Sequence, residues 1–328
     1  MIAALVASAP ALLAANRLVG VTMALPFVNV LPLGFWVAKE RGFFRNYGID
    51  LQIITFRGST QAMPALLAGQ VSVMLGSPGQ GLAAAAAGGD VIGLATIGPK
   101  MPYYFMARPE IRAPGDLRGK KIGISGTGLS AARIATILAL KRFGLEPRRD
   151  NVTLVPTGTM PERLSALLNN AIQGTVLDRT ETPPSALSGS GLTMLADFGQ
   201  LNIPWEHDIV MTTRGYLSAN RAVVEGLIKG LLEGNAYILA PQNKRFVLRT
   251  IAAQLHLDGV QRAETLYQDA VANFIVRKPY VNRKTLTTMV EVVADEFPEL
   301  QKVDLDRFVD DGILVQLDRS GFIDRLGR

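Results

Sequence analysis

Short apolar runs alternate along this chain with stretches whose apolar residues recur at helical spacing. Lys120–Ser125 reads as a strand buried on both faces, and Ser130 opens a stretch in which Ile134, Ile137 and Leu138 share one helical face. Phe143-Gly144 closes that helix and Val152–Pro156 reads as the next strand. Pro161 falls in the first turn of a second helix, where its missing amide is not needed, and Thr175–Leu177 continues the sheet. An earlier stretch follows the same series: a strand over Leu18–Ala24, a helix around Phe35–Arg41, a strand over Leu51–Phe56, a helix over Gln61–Ala68 and a strand over Val71–Leu75.

The two series are also similar in sequence. Ala65-Leu66-Leu67-Ala68-Gly69-Gln70-Val71-Ser72 is echoed by Ala166-Leu167-Leu168-Asn169-Asn170-Ala171-Ile172-Gln173, an offset of 166 − 65 = 101. Close to that offset Gly58-Ser59 recurs as Gly158-Thr159, Tyr47-Gly48-Ile49 as Phe143-Gly144-Leu145, and Val19-Gly20-Val21 as Ile122-Gly123-Ile124. Echoes in one order point to a duplicated unit. Strands alternating with helices predict an α/β fold of two lobes, each a mostly parallel sheet flanked by helices. The Pro-bearing stretch Arg108–Asp116 and the Ile203-Pro204 step before strand-like Ile209–Thr213 read as two crossovers, together a hinge. The expected division is lobe one over 16–110 and 208–328, and lobe two over 111–207. Beyond Tyr216 the pattern is helical, with Val223, Leu227 and Leu231 beside Val224, Ile228 and Leu232, and Glu225 paired with Lys229 on the wet face. Leu286, Met289, Val290 and Val293 repeat the spacing, and these helices are expected to buttress lobe one.

Composition narrows the chemistry. The 328 residues carry 34 Lys+Arg and 28 Asp+Glu, a net charge of +6 that is too slight and dispersed for a nucleic-acid partner. The 48% apolar content describes large cores. With no cysteine and only His207 and His256, thiol nucleophiles, thiolate metal sites and iron–sulfur clusters are excluded, and no metal-ligand spacing is present. The stretch 123–128 reads G-x-x-G-x-G, not the G-x-G-x-x-G of dinucleotide loops. No catalytic residue, cofactor or metal is therefore expected. Ile2–Ala15 is an Ala/Leu-rich run of 14 residues that suits the apolar region of a secretory signal, with 1–15 as its remnant. A mature N-terminal helix is the alternative, since no Lys or Arg precedes the run.

In open parallel sheets, ligands sit beyond the carboxyl ends of strands, where loops feed helix N-termini. Lobe one offers Phe27, Asn29 and Leu31 after its first strand, Arg57, Ser59 and Thr60 after its second, and Ser77 and Pro78 after its third. Lobe two offers Ser125, Gly126, Thr127 and Ser130, then Thr157, then Asp178 and Glu181. The hydroxyls and glycines read as cradles for a small anion such as a sulfonate, carboxylate or nitrate; each Ser or Thr reads equally as a helix cap. Arg57 reads as a counter-charge or as a surface ion pair. Trp205 reads as a cleft wall or as hinge core. His207 and Asp208, adjacent in an extended segment, are expected to point apart. Tyr103-Tyr104 reads as strand packing.

These residues carry a family resemblance. Ala38-Lys39-Glu40-Arg41-Gly42-Phe43-Phe44, Tyr47-Gly48-Ile49-Asp50-Leu51, Gly58-Ser59 and Ala65–Val71, with Asp116-Leu117-Arg118-Gly119-Lys120-Lys121-Ile122-Gly123-Ile124 in the second unit, resemble periplasmic substrate-binding proteins of ABC importers. The likeness is to the nitrate, sulfonate and taurine type and to binders of thiamine-pyrimidine precursors, and it covers roughly residues 18–215. It implies a clamshell that closes on a small solute and delivers it to a permease in the inner membrane, as an extracytoplasmic monomer without chemistry of its own. Ser72 and Gln173 stand where the family usually has Asp, so no particular ligand transfers. Asp178 and Glu181 stand where the family often places a cleft-facing acidic or aromatic residue; they read as selectors of an amine or hydroxyl, or as caps. An enzyme on the same fold, such as a pyrimidine-precursor synthase or a transferase, is the alternative.

Overall fold

The computed structural model describes residues 18–201, 203 and 205–327. The expected signal remnant, 1–15, lies outside them. Among the described residues ten strands form two five-stranded sheets. The first holds β1 (Val19–Leu25), β2 (Ile49–Thr55), β3 (Val73–Gly76), β4 (Val91–Thr96) and β10 (Ile209–Thr213), and the second β5 (Tyr103–Ala107), β6 (Lys121–Ile124), β7 (Thr153–Pro156), β8 (Gly174–Asp178) and β9 (Thr193–Asp197). Their orders are β2-β1-β3-β10-β4 and β7-β6-β8-β5-β9, the same pattern twice. In each, the three strands read from the sequence pair in parallel and a fourth, arriving from the crossover, runs antiparallel beside them.

The duplicated α/β fold is therefore as the apolar pattern predicts, but the first boundary moves. Tyr103–Ala107, expected in lobe one, is the antiparallel strand of the second sheet, between β8 and β9. All five of its residues are buried, as an interior strand requires. The chain therefore crosses between sheets at 97–102 and 198–208, and the Pro-bearing segment from Arg108 to Asp116 is a connection within lobe two. β10 returns to the first sheet as expected.

The helices between strands place the loops that matter. Ser59–Leu67, Pro78–Ala86, Ala131–Arg142 and Met160–Leu168 all begin at the carboxyl end of a strand and point their N-termini at the space between the lobes. Ser130 caps its helix by accepting a hydrogen bond from the Arg133 amide at 3.2 Å. The long helix Arg221–Leu239 buttresses lobe one, packing on Leu33–Glu40 so closely that a Cβ on Gly234 falls 2.2 Å from the Gly34 carbonyl oxygen. The later helix Arg283–Val293 touches Pro78–Ala86 of lobe one as expected, but its larger contact lies elsewhere. It packs on Ala131–Arg142 of lobe two, with Leu286 and Met289 in one apolar cluster with Ile134 and Leu138, and Arg133–Glu296 (2.6 Å) and Lys141–Asp295 (3.0 Å) beside it.

Gly234→Ala places its methyl against backbone that cannot swing away. Overpacking of this kind costs roughly 1–3 kcal/mol, more than the ~1 kcal/mol of helix propensity gained from Gly to Ala. Urea unfolding of G234A is expected to show a lower midpoint than the parent; an unchanged or higher midpoint would remove the close-packing argument.

Candidate functional site

A cavity of about 640 Å³ lies between the carboxyl ends of the two sheets. Nine of the residues singled out in the sequence line it: Phe27, Asn29, Arg57, Ser59, Ser77, Ser125, Ser130, Asp178 and Glu181. Seven lie off its wall. Leu31 is buried in the lobe-one core, and its amide donates to Asn29 Oδ1 at 2.9 Å. Pro78 sits behind Ser77 in the first turn of its helix. Thr60 accepts from Gln80 Nε2 at 3.3 Å, Thr157 donates back to the Val155 carbonyl at 2.9 Å, and the Thr127 carbonyl is held by Arg133. Gly126 turns the loop at a backbone conformation few side chains adopt. Trp205 is hinge core, 2% exposed, with its ring edge-on to Tyr103 at 6.3 Å.

The hydroxyls expected to cradle an anion are largely engaged by the protein. Ser59 Oγ accepts from the Ser77 amide at 3.4 Å, Ser77 Oγ donates across the lobes to the Leu129 carbonyl at 3.0 Å, and Ser125 and Ser130 bond each other. At the helix Met160–Leu168, Glu162 fills the N-terminus itself, accepting from the Thr159 amide (2.6 Å) and hydroxyl (2.8 Å) in a capping box. Arg57 reaches the same carboxylate at 2.8 Å, an ion pair between lobes at the rim. The capping and ion-pair alternatives thus describe much of this wall.

The floor carries residues that the sequence reading set aside, Tyr103, His207 and Asp208, and one it did not consider, Arg163. Tyr103, Arg163, His207 and Asp208 all line the cavity, with Asp178 and Glu181. Antiparallel register between β5 and β8 sets Tyr103 opposite Asp178. The imidazole of His207 lies between two carboxylates: Nε2 is 2.8 Å from Asp178 Oδ2, and Nδ1 bonds Asp208. Tyr103 OH is 3.1 Å from the same Nε2, with the phenol ring stacked on the imidazole at 5.3 Å. His207 and Asp208 were expected to point apart. They do not because 205–208 is irregular crossover and β10 begins only at Ile209, so strand alternation does not apply. Tyr104 does pack as a strand residue, donating to the Thr182 carbonyl at 2.8 Å, whereas Tyr103 faces the cavity. Register is the signal that could have found Tyr103: it opens the strand that follows the first crossover.

Burial favours the neutral His207 ring, but the Asp208 and Asp178 carboxylates outweigh it and push the imidazole up to about 10. Burial raises Asp208 against the pull of that imidazolium. Burial and then the Asp178 charge push Glu181 up to about 8, against Arg163 and His207. Arg163 is 3% exposed and donates to the Gly158 carbonyl (2.8 Å) and the Val176 carbonyl (3.4 Å). Its Nε has no partner among the described residues, and burial lowers its pKa. A second cavity of about 350 Å³ adjoins the first, sharing Val28, Asn29, Met160, Pro161 and Glu181, and is closed by Leu255–Asp258 and Arg262. Among the described residues there is no metal-binding cluster of His, Asp or Glu, and no helix long and apolar enough to cross a membrane.

Two like sheets joined by two crossovers, with one cavity between their carboxyl ends, define the two-lobed fold of periplasmic binding proteins. The chain belongs to the NMT1/THI5-like family, whose model matches residues 31–244, well over half its length. No curated protein matches it in sequence. Among solved structures it is similar to the periplasmic aliphatic sulphonate binding protein SsuA from Escherichia coli, at 19% identity and a TM-score of 0.67, covering 89% of this chain and 92% of that one. It is similar to the periplasmic nitrate-binding protein NrtA from Synechocystis PCC 6803, at 11% identity and a TM-score of 0.73, covering 93% and 89%. The desulfurization enzyme DSZB shares the fold at 18% identity and a TM-score of 0.62, covering 92% and 99%. At such identities the likeness is one of fold.

The buried groups fix how stability depends on pH. Glu206, which accepts from Thr96 and from the Asn282 amide (2.9 Å), is pushed up to about 7 by burial. Glu206, Glu181 and His207 all have folded pKa values above their ordinary ones, so the folded protein holds more protons between about pH 4.5 and 10. Their contribution is fully present below that window and is lost as pH rises through 7, 8 and 10. Melting temperature is expected to fall steadily from pH 6 to pH 9, and Glu206→Gln to flatten the part near pH 7. A curve that rises over this range would contradict the protonation states assigned here.

Proposed function

We propose that the chain is the extracytoplasmic solute-binding component of an ABC importer, a monomer that closes on a small organic solute and delivers it to a membrane permease. The observation that carries this reading is the cleft between the lobes: a cavity open at one side and bridged by Arg57–Glu162 at the rim and Ser77–Leu129 deeper in, as expected of lobes that meet around a solute. Its walls combine the apolar surfaces of Phe27, Phe56, Met160 and Pro161 with a polar floor, the make-up of a small-molecule site. An acidic group on the solute, such as a sulfonate or carboxylate, meets the amides at the N-termini of Ser59–Leu67, Pro78–Ala86 and Ala131–Arg142.

One observation favours an enzyme instead, namely an imidazole and a tyrosine beside carboxylates in a cavity, on a fold that DSZB uses for chemistry. It gives weak support. Both nitrogens of His207 are taken by carboxylates, and a ring that holds its proton to about 10 is a poor general base at neutral pH.

The test is thermal unfolding against sulfonates, carboxylates, nitrate, pyrimidines and aromatic acids. A solute at a hundredfold excess over its dissociation constant adds about 2.7 kcal/mol, roughly 4 °C for a chain of this length. Mass spectrometry is expected to recover the hit unchanged; a consumed hit makes the protein an enzyme, and silence across all classes refutes solute binding. Arg57→Ala separates two roles for that residue. As an exposed ion pair it contributes at most about 1 kcal/mol, so affinity for the hit should weaken no more than about fivefold. A hundredfold loss would make Arg57 a direct contact.

A further inference from the structure

Four carboxyl side chains line the main cavity, and three have partners in the protein. Glu162 takes Arg57 and the Thr159 cap, Asp178 takes Thr180 and His207, and Asp208 takes His207. Glu181 is different. Among the described residues no side chain or backbone amide donates to its carboxyl, and no cation lies within ion-pair distance; only its backbone is engaged, the amide donating to the Asp178 carbonyl at 3.2 Å and the carbonyl accepting from Arg262 at 3.4 Å. It also lines the second cavity, so it stands where the two chambers meet.

The groups facing it come from every neighbouring element. Asp178 is on β8, Arg163 on the helix Met160–Leu168, Tyr103 on β5, and His207 and Asp208 on the returning crossover. Arg262, His256 and Asp258 approach from the side of the second cavity. In the floor cluster, Asp178 and Asp208 are balanced by His207 and by Arg163, whose buried guanidinium touches only carbonyl oxygens. The cluster is neutral while Glu181 holds a proton and carries one surplus negative charge when Glu181 loses it. Glu181 is itself only partly buried, but Asp178, Arg163, His207 and Asp208 around it are buried, and a surplus charge in such a setting is costly unless an opposite charge joins it.

We infer that Glu181 is the recognition site for a cationic head of the solute, a protonated amine or an amidinium, placed where the two cavities meet. This rests on the solute-binding reading above and narrows its substrate class. The solute then has a positive end at the floor, a body against Phe27, Phe56 and Met160, and any acidic group at the helix N-termini. Binding of the cation displaces the proton that Glu181 carries in the free protein at neutral pH, so affinity is linked to pH.

The experiment uses matched probes with one body: para-amidinobenzoate and para-(aminomethyl)benzoate, against para-carbamoylbenzoate and para-methylbenzoate, which lack the positive charge. Binding to the purified protein is measured by calorimetry at pH 6, 7 and 8, with the panel of acids above run alongside. The charged probes are expected to bind and their neutral counterparts to bind at least tenfold more weakly. Affinity for the charged probes should rise about tenfold per pH unit up to about pH 8, with a proton released on binding. Glu181→Gln reproduces the shape of the neutral acid, so it is expected to fold and melt like the parent at pH 6. It should weaken the charged probes at least tenfold and abolish their pH dependence. Binding of uncharged or purely acidic compounds with the charged probes excluded, or charged-probe affinity that E181Q leaves unchanged, overturns the assignment while leaving a solute-binding protein. No binding in any class overturns both readings.

Discussion

The imidazolium of His207, held between the carboxylates of Asp178 and Asp208, fixes the floor of the cleft and the hinge together. Asp178 ends β8 of lobe two, and His207 and Asp208 lie on the chain returning to lobe one, so one buried chain of charges ties a sheet to a crossover. Its ends are fastened as well. Thr180 donates twice to Asp178 Oδ1, and the Asp208 carbonyl accepts from the Ile97 amide of the other crossover at 2.9 Å. Taking three charges out of water is unfavourable unless each is paired, and removing one member of such a set typically costs about 3–5 kcal/mol because the others remain buried. The arrangement therefore favours one geometry of the crossovers strongly over neighbouring ones. Tyr103, stacked on the imidazole and backed by Trp205, inherits its position from that choice.

The fold was legible because duplication and apolar periodicity are local signals. Ile134, Ile137 and Leu138 mark a helix face wherever the helix packs, and buried runs such as Val73–Gly76 mark interior strands of parallel sheets. Sheet membership is a long-range property, and Tyr103–Ala107 shows the limit: an apolar run fits either lobe, and only pairing with β8 and β9 decides. The cleft loops were legible for a similar reason, since strand ends and helix starts can be read along the chain. Which side chain faces the cavity depended on rotation and on crossover geometry. Ser77 and Ser130 were found on the wall, yet their hydroxyls serve the protein; Tyr103, Arg163, His207 and Asp208 were passed over because they meet only through pairing between sheets and through an irregular segment.

The hydroxyl-rich wall and the carboxyl-rich floor have different consequences for recognition. Along the wall, donors and acceptors are spent on capping and on holding lobe to lobe, so a solute meets chiefly backbone amides and helix dipoles, which distinguish anions poorly from one another. On the floor the side chains differ in charge and in freedom, and a wrong group there leaves a buried charge unbalanced, a penalty of several kcal/mol. On the proposed solute-binding reading, discrimination between solutes therefore resides mainly in the floor. This also bears on the histidine. Paired at both nitrogens, it acts as a fixed positive charge, and its value to the site is to hold the Asp178 and Asp208 carboxyl groups in place.

Closure and opening draw on unequal contacts. The rim pair Arg57–Glu162 is well exposed, with side chains 73% and 46% accessible, so it is screened and contributes at most about 1 kcal/mol. The seam between Ala131–Arg142 and Arg283–Val293 is apolar, joining Ile134 and Leu138 to Leu286 and Met289 in a cluster that runs on into Met74 and Leu82 of lobe one. Separating it exposes several side chains worth about 1.5–3 kcal/mol each when buried. A motion that opened the seam would be far more expensive than one that parts the rim and pivots on the seam and the two crossovers. The inexpensive motion widens the cavity at Arg57 and leaves the floor around His207 intact. On the solute-binding reading proposed above, a solute enters past the rim onto a recognition surface that is already assembled, and its bridging contacts have only weak rim interactions to supplement in holding the lobes closed.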